Sequence, residues 1–120
     1  MPDFANPFPG VVPERKLSIE ELVRAVRLDL AAEEEAVHLY LSQADASDNA
    51  LAKKVLTDVA NEERQHAGEF LRLLQLLTGD EDKWLAAGAR EVDVNAAQLG
   101  MQEKEPPQAG DKATIGSLKQ

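Results

Sequence analysis

Apolar residues recur at helical spacing through the middle of this chain. From Ser18 the pattern reads Ile19, Leu22, Val23, Val26 and Leu30, then Glu33, then Val37, Tyr40 and Ala44. The steps are threes and fours with one adjacent pair, the period of a single helix face. The start is marked by the Ser-Ile-Glu-Glu run. Ser18 can accept from the Glu21 amide while Glu21 reaches back, a capping box. This predicts a first helix that ends near Asp45 to Asn49, with Ser47 or Asp48 capping the next. A second helix is expected from about Ala50 to Leu77. Its stripe is Val55 and Val59, then a polar break around His66, then Phe70, Leu73, Leu74 and Leu77, with Gly79 as its stop. Asp80 is expected to cap a shorter third helix carrying Trp84, Leu85, Ala89, Val92, Ala96 and Leu99. No strand pattern and no internal repeat is present. All 6 prolines lie before Glu14 or after Glu105, which leaves the middle free for uninterrupted helices. The expected fold is all-α, an antiparallel two-helix hairpin plus a short third helix.

Composition narrows the function. The chain has 120 residues and a net charge of −9. One domain of this size buries a modest core, so partner subunits would help it. The acidic balance argues against nucleic acid or an anionic membrane as partner, since both reward clustered Lys and Arg. There is no cysteine, which removes disulfides, thiolate zinc sites, iron–sulfur clusters and thiol catalysis, and fits a reducing cytosol. No run of apolar residues is long enough to span a bilayer. The N-terminal Met1–Lys16 stretch has no basic start followed by an apolar core and does not read as a signal peptide.

The chemistry lies where the stripes are interrupted. Glu33 sits between Leu30 and Val37 on the apolar face of the first helix. A carboxylate there is costly unless it is paired or holds a metal. His66 falls at the centre of the second stripe, flanked by Glu62 and Glu63. Glu63 and His66 are three residues apart, so they share one helix face. That is the Glu-x-x-His arrangement of carboxylate-bridged di-iron bundles. Hard carboxylate oxygens suit ferric iron, and imidazole suits both oxidation states. A full bundle of that kind uses one Glu from each of two helices and one Glu-x-x-His from each of two others. This chain supplies one of each, and its other histidine, His38, lies off the stripe. It therefore carries half a site, and two copies about a twofold axis would complete one. The bland reading is a hydrogen-bonded core histidine with Glu62, Glu63, Glu34 and Glu35 as solvated surface charge. Against it, both interruptions lie near mid-helix, at matching depth in an antiparallel hairpin. Tyr40 lies two turns after Glu33 on the same face. It either packs, hydrogen-bonds a ligand or supplies an electron. His38, Trp84 and Gly68 read as structural, Gly68 as a place where another helix could come close beside His66.

Two segments carry a resemblance. AAEEEAVHLY together with LTDVANEERQHAGEFLRLL is similar to the ferritin-like and rubrerythrin-like proteins, and within them to the encapsulated ferritins, over about Leu17 to Leu77. The ending ATIGSLKQ resembles the peptides that dock cargo inside encapsulin shells, with Gly116, Ser117, Leu118 and Lys119 as the Gly-Ser-Leu-basic core. The resemblance implies a dimer forming a ferritin-like four-helix bundle, with a di-iron ferroxidase centre built from Glu33, Glu63 and His66 of each chain. Glu62 and Glu34 stand beside these as further candidate ligands, and Tyr40 as a catalytic candidate. It also implies an open ring of dimers, commonly a decamer, which feeds ferric iron to a surrounding shell that stores the mineral. Some members have an acidic metal-uptake site near the first ligand. Here Ala32 takes one expected acidic position, while Glu34 and Glu35 remain. Leu39 stands where members often have Trp.

The expected organisation is a flexible Pro-rich segment at 1–16, a helical domain at 17–99, a disordered linker at 100–112 and a targeting peptide at 113–120. The targeting peptide would contact the shell through Ile115, Gly116, Ser117 and Leu118. The expected place is the cytoplasm, inside the nanocompartment. Two rival readings belong to other classes: a rubrerythrin-like di-metal enzyme that reduces peroxide, and a metal-free structural cargo bundle.

Overall fold

A computed structural model describes residues 14–101. Helix α1 spans Ile19–Ala46, α2 spans Ala50–Thr78 and α3 spans Glu81–Gln98. There are no strands among the described residues, and no helix is long and apolar enough to cross a membrane. The all-α expectation holds. The chain divides between Gly79 and Asp80 into two units, the α1–α2 hairpin and the segment that carries α3.

The hairpin begins as its sequence dictates. Ser18 Oγ accepts from the Glu21 amide at 3.2 Å, and the Ser18 amide donates to Glu21 Oε1 at 2.9 Å. Glu21 also accepts from both Arg15 guanidinium nitrogens, at 2.7 and 2.5 Å. These bonds, led by Arg15, hold its carboxyl down to about 2. Glu20 and Glu21 place negative charge at the positive end of the helix dipole.

At the turn the structure departs from expectation. Neither Ser47 nor Asp48 caps α2. Asn49 does, its Oδ1 accepting from the Ala52 amide at 2.9 Å. Ser47 instead closes α1 as its C-cap, and its Oγ accepts from the Asn49 amide at 3.0 Å. Three consecutive residues of capping type compete there, and the one adjacent to the first helical residue wins. Lys53 donates to the Ala44 carbonyl at 2.8 Å and ties the two helices together beside the turn. Helix α2 runs one residue past the expected Leu77. It ends at Gly79 with φ 78°, and the Gly79 amide bonds the Gln75 carbonyl at 2.9 Å. Only glycine adopts that left-handed conformation without strain.

Among the described residues the buried apolar ones are Val26 and Ala44 from α1 and Ala60 and Leu74 from α2. They form the seam between two antiparallel helices. The stripes are wider than the seam. Ile19, Val55 and Leu73, all expected on the inner face, are 57%, 49% and 41% exposed. The reason is geometric. Two helices share one narrow line of contact, whereas an apolar stripe of this width spans a broader arc.

In the second unit, Asp80 occupies the N-cap position of α3, yet its side chain makes no capping bond. Its carboxylate instead accepts from Trp84 Nε1 at 3.1 Å. No residue of α3 is buried. Residues 1–13 and 102–120 lie outside the described residues: most of the expected N-terminal segment 1–16 and linker 100–112, and all of the expected peptide 113–120 with Ile115, Gly116, Ser117 and Leu118.

Candidate metal centre

Glu33 reaches the site from α1, while Glu63 and His66 reach it from α2. His66 Nδ1 stands 3.1 Å from Glu33 Oε2 and 3.1 Å from Glu63 Oε1. One donor atom from each of the three residues lies within 4.8 Å of the others. The antiparallel pairing makes this possible, because it sets mid-α1 against mid-α2. The i,i+3 spacing then puts Glu63 and His66 side by side. The carboxylates are well covered, 15% exposed for Glu33 and 17% for Glu63, whereas His66 is 49% exposed.

Electrostatics mark Glu33 as the strained member. Its carboxyl is pushed above the usual carboxylate range, first by burial and then by the adjacent Glu63 carboxyl, against a smaller opposing pull from His66. Two carboxyls and an imidazole packed this closely repel or share protons unless a cation joins them. Hard oxygen donors with one nitrogen fit a divalent transition metal such as iron. The residues therefore fit the metal that the sequence pattern implies.

The stability consequence follows from linkage. A carboxyl raised on folding binds more protons in the folded than in the unfolded chain, so its stability contribution falls as pH rises from the ordinary carboxylate value through the raised one. Metal-free Glu33→Gln is expected to melt higher than wild type near pH 7 and to match it near pH 4, where both side chains are uncharged. With metal present the order reverses. Thermal melts at both pH values, with and without chelator, check this.

The other sequence candidates stand apart from this group. Glu62 and Glu34 are exposed, and neither belongs to the three-residue cluster. Tyr40 is half-buried on α1 and lies outside the cluster. His38 is exposed, and its carbonyl accepts from Ser42 Oγ at 2.8 Å. A Cβ at Gly68 would meet nothing within 4 Å. Beside the cluster a groove opens, lined by Glu33, His66, Glu69, Phe70 and Leu73. Glu69 is a site-facing residue that the sequence pattern did not single out. The available signal was its spacing, three residues beyond His66.

The chain belongs to the rubrerythrin family, whose model matches residues 24–104. The helical fold and the ferritin-like resemblance of the sequence agree with that membership. Among characterised relatives, it is similar to the encapsulin nanocompartment cargo protein EncC of Myxococcus xanthus, 43% identical over 87 residues, which is 72% of this chain and 63% of that protein. It is also similar to the ferritin-like-encapsulin shell fusion protein of Pyrococcus furiosus, 41% identical over 73 residues, covering 61% of this chain and 21% of that protein. The chain thus spans less than two thirds of the length of either relative. No solved structure matches it.

Proposed function

We propose that this protein is a ferroxidase that oxidises ferrous to ferric iron with oxygen, acting as a homodimer and as cargo of an encapsulin compartment. The observation that carries the reading is the convergence of Glu33, Glu63 and His66, with donor atoms within 4.8 Å, at the centre of the hairpin. One such group offers too few donors for two ions, and a second copy doubles them. The apolar residues left exposed on the hairpin, Val55 and Leu73 among them, give that copy something to bury.

Bound iron would supply the redox chemistry, each ferrous ion passing one electron to oxygen, the oxidant of this reading. The chain's own residues do the rest. Glu33 would hold iron through its carboxylate form, the form that binds a cation. Burial and the adjacent Glu63 carboxyl raise its pKa, so protons compete with a cation here more than at an ordinary carboxylate. Glu63 and His66 complete the donor set on each side. Tyr40 remains the candidate for a supporting role, and Glu62 and Glu34 for loose contact with arriving cations. The likeness to two encapsulin-associated proteins supports association with a shell; in this reading 100–112 is the linker and 113–120 the docking peptide. Assembly of the dimers into a ring, commonly a decamer, completes the proposal.

Membership of the rubrerythrin family favours one second reading, in which peroxide is the true oxidant. Side-by-side rates separate the two. The ferroxidase reading expects ferrous oxidation by oxygen to be at least as fast as by equimolar peroxide. A rate with peroxide more than about tenfold higher, with only buffer-level oxidation in air, would establish the rival.

A further inference from the structure

Away from the cluster, a side chain of α2 is tied to the backbone of α1. Lys53 Nζ donates to the Ala44 carbonyl at 2.8 Å across the turn. The same carbonyl accepts the Ser47 amide at 3.3 Å. Helix α1 carries no basic residue in its own last turn. The Lys53 ammonium supplies the positive charge that a helix C-terminus favours, and supplies it from the neighbouring helix. Glu33 precedes Ala44 by eleven residues, and Glu63 follows Lys53 by ten. At about 1.5 Å of rise per residue, these are nearly equal axial lengths of roughly 15–16 Å. In an antiparallel pair, equal lengths from one tie point arrive opposite one another. The bridge therefore stands in the register that sets Glu33 against Glu63 and His66. The apolar seam resists separation more than sliding. Its burial is non-directional, and two of its buried residues, Ala44 and Ala60, have side chains too short to interlock deeply. A slip of one residue would move a side chain about 1.5 Å along the axis, half of the 3.1 Å between His66 and Glu33.

We propose that Lys53 is a positioning residue for the metal centre: its bridge to the Ala44 carbonyl holds the axial register that brings Glu33 to Glu63 and His66. The inference rests on the reading that these three residues bind metal. Lys53 belongs neither to the cluster nor to the groove beside it, so it acts only through the placement of the two helices. Metal donors must be held within about 0.5 Å of their productive geometry. Losing the bridge weakens binding and alters the donor geometry. The helices themselves persist, because the caps at Ser18, Asn49 and Gly79 are untouched.

The test uses the full chain and cobalt(II), which takes oxygen and nitrogen donors and whose visible bands report their geometry. Lys53→Met keeps an unbranched apolar stem and removes the donor and its charge. It is expected to bind cobalt about tenfold more weakly than wild type, with altered visible bands at saturation. Lys53→Arg keeps a cationic donor and should recover most of the affinity and the wild-type bands. Asn49→Ala removes the α2 cap at the same turn and leaves the bridge in place. It should melt lower than wild type yet match its cobalt affinity and bands. Circular dichroism at the titration temperature follows the helices in each variant. Wild-type affinity and bands in Lys53→Met would overturn the proposal, as would failure of Lys53→Arg to recover them. The same cobalt change in Asn49→Ala would make the effect one of turn stability. Loss of helical signal in Lys53→Met would make the bridge a requirement of folding and not of register. Either of these also overturns it. Wild-type protein that binds no cobalt would instead remove the metal reading itself, and the positioning role with it.

Discussion

Glu33→Ala is expected to reduce ferrous oxidation by at least roughly 100-fold and to remove saturable metal binding. Loss of even an outer partner of a metal ligand costs about 10–100-fold in affinity or activity, and the proposal makes Glu33 a ligand itself. Its position is mid-hairpin, 3.1 Å from His66 Nδ1 and largely covered. In a twofold dimer one substitution removes a donor from both halves of the site, so the loss is doubled in each assembled centre. The variant should nevertheless fold. It removes a half-buried carboxyl whose pKa is raised by its surroundings, so the helical signal and melting temperature of the metal-free variant should hold or rise. Loss of activity together with loss of helix would instead mean that Glu33 matters for folding. The assay is ferric absorbance after mixing with ferrous iron in air, with circular dichroism on the same samples.

The second large effect concerns location. Deleting 113–120 is expected to abolish loading into co-expressed shells and to leave oxidation of ferrous iron by the free protein unchanged. The segment holds Ile115 and Leu118 in a polar setting, after a stretch rich in proline and charge. A short apolar motif binds through a few side chains, so removing those side chains leaves little residual affinity. Co-purification of truncated and full-length chains with the shell decides the matter. Equal recovery of both would refute the docking role.

Much of this was legible in the sequence, for identifiable reasons. Ser18 and Gly79 act as read because each stands alone as the one residue of its type at a helix end, and the backbone geometry demands that type. Glu33 and the Glu63–His66 pair were visible because polar groups interrupt otherwise apolar stripes, and because antiparallel pairing brings mid-helix positions together. What escaped depended on competition or on tertiary shape. Asn49 won the cap over Ser47 and Asp48 by position within a run of similar residues. Asp80 turned its carboxylate to the Trp84 indole, a contact that exists only once α3 has formed. Ile19, Val55 and Leu73 were read as inner-face residues because periodicity identifies an apolar face without saying how much of it one neighbour covers. Glu69 looked like any surface acid. Only the groove walled by Phe70 and Leu73 sets it apart.

The central claim is that each chain carries half of a two-metal site. The most direct test is anaerobic titration with ferrous iron followed by native mass spectrometry, with air then admitted. The account predicts a dimer or a ring of dimers holding two irons per pair of chains, with ferric absorbance rising promptly in air. A monomer that binds its full iron complement alone, or an assembled protein that binds none, would contradict it.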